Sequence, residues 1–257
     1  MNKKILYYIN LSTLLLLIAC NKDMAINNAI DTAKPTLQLV NSYPLNIEEP
    51  SGLSLYHHHQ LLCVDDHTNA IFVIDTCGNI KQELNYIGLD LEGISYDPQS
   101  KIVYIVYEQE HRLLAIDTAG IELNHWIIPF VGGENNKGFE GLAIDQTNQR
   151  LFILNEASPG KLIEWDIASQ IINKQTELTF ALDYSGAYFC NTDSSLWILS
   201  DQSQKLFHIS SSSQVLSSFD LKFDKAEGIA VDETNQLIYI VRDTKETNKL
   251  YIYKLVE

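Results

Sequence analysis

The sequence predicts an all-β fold: a five-bladed β-propeller of four-stranded blades, its ring closed by an N-terminal strand that completes the last blade. Three observations carry this expectation. Five segments align on a glycine: EPSGLSL at Gly52, LEGISYD at Gly93, FEGLAID at Gly141, YSGAYFC at Gly186 and AEGIAVD at Gly228. Their spacings of 41, 48, 45 and 42 residues are propeller-blade periods. The fifth unit stops at Glu257 one strand short, while a strand-like stretch at 36–43 (TLQLVNSY) precedes the first. Closing the ring with that stretch hides sheet edges that would otherwise invite aggregation.

Ahead of the repeat, residues 1–19 have the order of a secretory signal: Lys3 and Lys4, an apolar run through 14–18, then small Ala19. The run falls short of the roughly 20 apolar residues that span a bilayer. Leu17-Ile18-Ala19-Cys20 resembles the bacterial lipobox, so Cys20 is expected to carry a lipid and become the first residue of the mature chain. Residues 20–35 then form the lipidated cysteine and a flexible tether, and 36–257 the propeller. The expected location is the bacterial cell envelope, with the chain anchored to a membrane through Cys20 and exposed outside the cytoplasm.

Within each unit an apolar strand follows the glycine, as in 141–145, and a polar turn such as QTNQ (146–149) or ETNQ (233–236) ends it. The second strands read LLCV (61–64), VYIV (103–106), LFIL (151–154), LWIL (196–199) and IYIV (238–241). Third strands end near Asp75, Asp117, Asp166, Ser210 and Lys254. More polar fourth strands close the first four units.

Composition narrows function. The 257-residue chain has 33 Asp and Glu against 18 Lys and Arg, a net charge of −15, and only three Arg. Nucleic acid is excluded as a general partner, because phosphate neutralisation needs a basic surface. A chain that is 46% apolar has enough hydrophobic residues to bury a core. Cys63, Cys77 and Cys190 lack metal-site or redox spacing and read as buried small hydrophobes or idle thiols.

The repeat assigns positions to part of the acid. In a propeller the first strand of each blade lines the channel and the second runs back antiparallel beside it. The start of one and the end of the other therefore share a face. Glu92, Glu140 and Glu227 precede their glycines; in the other two units Ser51 and Ser185 stand there, with Glu49 and Asp183 two residues earlier. Asp66, Glu108, Glu156, Asp201 and Asp243 end the second strands. The last four of these lie 15 residues after the glycine, and Asp66 lies 14 after, as a turn one residue shorter would give. Ten carboxylates on one rim repel one another unless protonated or countered. A hard cation is the direct solution, and calcium, with six to eight oxygen ligands in irregular geometry, comes first. A structural role competes at each position, since a glutamate entering a blade can simply accept backbone N–H bonds. The other 23 acids read as solvated surface.

Other candidates are weaker. His57-His58-His59 falls in a turn on the opposite face. His67 and His111 follow acids near the rim but have no identifiable partner in sequence. Trp126, Trp165 and Trp197 read as core or inter-blade packing. No G-x-S-x-G, P-loop or H-E-x-x-H occurs, which leans against an enzyme.

The segments EPSGLS, LEGISYD, FEGLAID and AEGIAVD, followed by DxxNQxLFIL-type hairpins, make the chain resemble the SdiA-regulated (YjiK-like) β-propeller family over about residues 36–257. The resemblance implies an envelope propeller with a role in calcium handling and no established catalysis. It also implies that the second-strand acids and the three E-G glutamates match polar channel positions, from which Ser51 and Ser185 depart. A phytase-like activity, found elsewhere among calcium-associated propellers, needs basic residues for phosphate, and only Arg242 lies beside the rim. Three functions stay open: a non-catalytic calcium-binding sensor, buffer or docking protein; a calcium-assisted hydrolase or lactonase; and a metal-free acidic module for a basic protein or peptide.

Overall fold

In the computed structural model the described residues are 35–129, 137–244 and 246–256. The signal, Cys20 and most of the tether lie outside them. Among the described residues, twenty strands form five sheets of four antiparallel strands each. The entering strand β1 is Thr36–Pro44, and β2 (Pro50–Leu55), β3 (Gln60–Asp65), β4 (Ala70–Asp75) and β5 (Ile80–Ile87) make the first blade. The second is β6 (Leu91–Asp97), β7 (Ile102–Tyr107), β8 (Arg112–Asp117) and β9 (Glu122–Ile127). The third is β10 (Phe139–Asp145), β11 (Arg150–Asn155), β12 (Lys161–Asp166) and β13 (Ile171–Glu177). The fourth is β14 (Gly186–Cys190), β15 (Ser195–Ser200), β16 (Lys205–Ile209) and β17 (Val215–Asp220). In the fifth, β18 (Ala226–Asp232), β19 (Leu237–Arg242) and β20 (Lys249–Val256) take β1 as their outer strand.

The ring therefore closes as the sequence predicts, with Thr36 opposite Val256 and Pro44 opposite Lys249. Asn248 adds a clasp: its Nδ2 donates to the carbonyls of Ile47 and Glu48, both at 2.7 Å, where the chain leaves β1 for β2. The shorter turn of blade one is visible in the register. Leu53 pairs with Cys63, whereas its counterpart Ile94 pairs with Ile105. That turn is a single 3-10 turn, His57–His59.

The core is not central but divided among the five blade interfaces. Leu62, Ile94 and Ile105 pack between blades one and two, and Leu61, Tyr239 and Val241 between blades five and one. Each such side chain, fully buried, contributes about 1.5–3 kcal/mol. Trp126 and Trp165 pack between blades two and three, and Trp197 stacks on His208, as core residues should.

At the axis the aligned glycines explain themselves. A Cβ on Gly52 would sit 2.3 Å from the Glu92 carbonyl oxygen, on Gly93 2.7 Å from that of Glu140, and on Gly186 2.4 Å from that of Glu227. On Gly228 it would meet Leu53 N at 2.6 Å, which returns the contact to blade one. Inner strands approach this closely only where no side chain intervenes.

One expectation needs correction. Several acids outside the rim are not solvated surface: Asp65, Asp97 and Asp145 are buried. Each is an acceptor for its own turn or loop. Asp65 takes the N–H groups of Glu48, Glu49, His67 and Thr68, and Asp145 takes the Asn148 N–H and side-chain amide. A short acidic side chain at a strand end satisfies backbone donors that the turn leaves unpaired.

A candidate cation site at the acidic mouth

The rim forms because each blade delivers its acids twice, at the start of the inner strand and just after the second. Asp66, Glu92, Glu140, Glu156, Asp201, Glu227 and Asp243 line one cavity of about 370 Å³, together with Glu49 and Asp183. Glu108, the tenth acid singled out from sequence, joins them from the side: its carboxylate lies within 4.8 Å of those of Glu92 and Glu140.

A β-bulge aims the inner acids. Register shifts fall between Pro50 and Leu53, Leu91 and Ile94, Phe139 and Gly141, and Ala226 and Ile229. They span Ser51, Glu92, Glu140 and Glu227. The bulge releases the residue before the glycine from strict strand alternation, so its side chain can turn toward the axis. The inner strand of blade four begins at Gly186 without a bulge, and Ser185 instead donates to the Ala226 carbonyl at 2.6 Å.

The electrostatics follow from burial. Glu92 and Glu140 are held well above the ordinary carboxylate range, first by desolvation and then by neighbouring acids, Glu140 foremost for Glu92 and Glu227 foremost for Glu140. Glu227 is pushed up to about 7 by burial, against the opposing pull of Lys225. Asp66 rises to about 6, through burial and then the charges of Asp90, Glu49 and Glu108. Glu108, Glu156, Asp183 and Asp243 are also raised, each chiefly by desolvation.

The ten acids do not have one role. Asp183 accepts hydrogen bonds from Ser200 Oγ and Gln202 N, so it braces its blade as Asp65 braces blade one. Glu108 accepts the Gly138 N–H at 3.3 Å. Asp201 accepts the Lys225 N–H. Glu92 and Glu140, by contrast, meet further acids of the rim.

Sequence reasoning missed Lys225 and Asp90. Lys225 lines the cavity, with its ammonium 3.7 Å from Glu227 and 4.0 Å from Asp201. Asp90 adds charge beside Asp66 and Glu108. Both belong to one column, three residues before the glycine, that also holds Glu49, Gly138 and Asp183. Backbone carbonyls of this column accept the N–H of the second-strand acid: Glu49 from Asp66, Asp90 from Glu108, Gly138 from Glu156 and Lys225 from Asp243. The signal was present in Glu49 and Asp183, but the column's mixed chemistry concealed it.

The lesser candidates stand apart from this chemistry. His67 is exposed and 3.6 Å from Glu48, and His111 packs on the Phe139 ring. His57 hydrogen-bonds the Tyr96 hydroxyl at the far end of the channel. Arg242 is held by Asp224 over the Phe223 ring. Cys63, Cys77 and Cys190 are free thiols, and burial pushes Cys190 up to about 11.

Comparison with known proteins adds a family and a fold. A family model described as SdiA-regulated matches residues 38–254. Among solved structures, Myxococcus xanthus glutaminyl cyclase is similar with a TM-score of 0.67 and 13% identity, over 87% of this chain and 98% of that one. The PQQ-bound aldose sugar dehydrogenase of Streptomyces coelicolor gives 0.57 and 14%, over 87% and 99%. A Xanthomonas campestris gluconolactonase gives 0.54 and 11%, over 85% and 98%. At these identities the likeness is one of fold.

Proposed function

The chain belongs to the SdiA-regulated family, and we propose that it binds a divalent cation, calcium first, at its acidic mouth, in a non-catalytic sensing, buffering or docking role. The observation that carries this reading is the trio Glu92, Glu108 and Glu140, whose carboxylates come within 4.8 Å of one another. Glu92 and Glu108 are buried and Glu140 half-buried, and desolvation raises all three above the usual carboxylate range. An all-oxygen donor set suits a hard cation, and calcium, which accepts irregular coordination, before magnesium with its tight octahedron. A cavity of about 370 Å³ leaves room for water to complete the ion's coordination.

Residues 1–20 support the cellular setting of this proposal. Their order of basic residues, apolar run and Leu17-Ile18-Ala19-Cys20 is that of a lipid-anchored envelope protein. Such a chain would meet millimolar extracellular calcium, where an acidic site with several carboxylates has useful affinity.

A thermal melt tests the proposal. Calcium at about 100 times its dissociation constant adds about 2.7 kcal/mol, which for a domain of this size raises Tm by about 5–10 °C relative to chelator. An unchanged Tm at 10 mM calcium overturns it. A second reading rests on the same cavity, which is larger than one ion requires, and on a gluconolactonase among the fold neighbours. Bound calcium would polarise a lactone carbonyl while a rim carboxylate serves as base. Calcium-dependent opening of gluconolactone, lost in Glu92→Gln, would favour that reading over the non-catalytic one.

A further inference from the structure

The channel has two mouths, and the second is chemically the reverse of the first. Beyond the ring of five glycines, where only about 10 Å³ is open, lies a separate cavity of about 250 Å³. The neck holds about one water molecule, so the two chambers do not share a ligand. Leu53, Ile94, Leu142, Ala187 and Ile229, one from each blade and each directly after its glycine, form the chamber's floor. Among the described residues its lining includes no Asp, Glu, Lys or Arg, although the chain carries a net charge of −15.

The polar groups of this chamber are largely engaged with one another. Tyr96 and His57 share a hydrogen bond of 2.9 Å, Tyr188 donates to Glu233 at 2.8 Å, and Asn191 Oδ1 accepts the Gln146 N–H at 3.2 Å. Ser54 Oγ donates to the Leu55 carbonyl and accepts the Tyr96 N–H. A charged ligand would therefore lose its hydration here, and the nearby Glu233 carboxylate is already engaged by Tyr188, the Asn191 N–H and Thr192. The mouth also presents an aromatic cluster. Tyr56 and Tyr96 meet edge to face with centroids 4.8 Å apart, and His57 meets Tyr96 likewise at 4.8 Å.

We propose that this chamber is a second binding site, for an uncharged aromatic molecule of one or two rings. Its apolar floor, one side chain deep, accepts the flat body of such a molecule by area burial. The Tyr56–Tyr96–His57 cluster offers ring edges and faces for tilted packing. The amides of Gln146 and Asn191 at the rim suit a single hydrogen-bonding substituent. This site is independent of the cation site and can be tested without metal.

The test is photolabelling of the purified protein with benzophenone, an uncharged two-ring probe that inserts into nearby C–H bonds on irradiation. Adducts mapped by mass spectrometry are expected to saturate with dose and fall within 53–57 and 94–98. Excess toluene should compete them away. Gln146→Trp fills the half-buried rim while retaining its backbone hydrogen bond, and is expected to lower labelling at these positions at least tenfold, with far-UV circular dichroism unchanged. If that variant does not fold, the map and the toluene competition on the unaltered protein decide alone. Non-saturating labelling, or adducts scattered over outer-strand residues such as Ile87 and Ile127, overturns the proposal, as does undiminished labelling in a folded Gln146→Trp.

Discussion

Glu92 and Glu140 begin the inner strands of neighbouring blades, and their carboxylates come within 4.8 Å of each other with Glu108 as a third partner. Two buried carboxylates so close cannot both ionise cheaply, so without a cation they retain protons near neutrality. With a divalent cation between them they ionise, and the same repulsion becomes attraction for the ion.

Glu140→Gln separates these two states. It preserves shape while removing one charge from the cluster. Calcium affinity is expected to fall at least tenfold, while the metal-free protein at pH 8 gains about 1–3 kcal/mol from relieved repulsion and desolvation. Denaturant unfolding in chelator, paired with a calcium titration, checks both. A loss on both measurements would make Glu140 a structural acceptor.

The metal-free protein should become less stable as pH rises through neutrality. Glu227 moves from an ordinary 4.5 to about 7 in the folded state, so the folded chain binds more protons across that window. Its contribution is fully present below about pH 4.5 and is lost as pH passes about 7, a change of about 3 kcal/mol at 1.36 kcal/mol per unit. Unfolding in chelator from pH 5 to 8 reads the slope, and Glu227→Gln should flatten it. The turn aspartates Asp145 and Asp232, held below their usual values by hydrogen bonds, act in the opposite sense only in more acidic solution.

If the mouth binds a cation as proposed, Lys225 competes with it. Its ammonium lies 3.7 Å from Glu227 and lowers that group's pKa, while the surrounding acids raise its own. Lys225→Met should strengthen calcium binding about three- to tenfold and shift the metal-free stability loss to lower stability at pH 8. Calorimetry of the variant against the unaltered protein measures the first effect, and denaturant unfolding the second. Weaker calcium binding would mean that the ion sits away from Glu227.

Ring closure depends on Asn248 as well as on β1. Replacing it with Ala strands the buried carbonyl of Ile47, the partly buried carbonyl of Glu48, and the Thr244 N–H that its Oδ1 accepts at 2.6 Å. A cost of about 2–3 kcal/mol is expected from the unsatisfied groups. Denaturant unfolding measures it, and a cost below 0.5 kcal/mol would show that the β1–β20 ladder suffices alone.

The architecture was legible because a propeller writes its period into the chain. The five glycines mark where inner strands touch, and the missing strand at one end is matched by a spare one at the other. The acid columns were legible for the same reason, since Glu92 and Glu108 recur at fixed distances from a glycine. What could not be read was the difference among equal letters. Asp65 and Asp66 are adjacent acids, yet one is consumed by four backbone N–H groups and the other faces the cavity. Hydrogen-bond partners decide such cases, and those come from loops with no repeat. Lys225 was hidden because its column mixes glutamate, aspartate, glycine and lysine. The apolar chamber was hidden because its floor residues read as ordinary strand core.

The central claim is that the acidic mouth takes up calcium by displacing protons from buried carboxyls. The most direct measurement is isothermal titration of the metal-stripped protein with calcium at pH 7, repeated in two buffers of different ionisation enthalpy. The account predicts saturable binding, net proton release, and loss of both in a Glu92→Gln, Glu140→Gln double variant. Absence of binding at millimolar calcium, or binding without proton release that survives in the double variant, would contradict it.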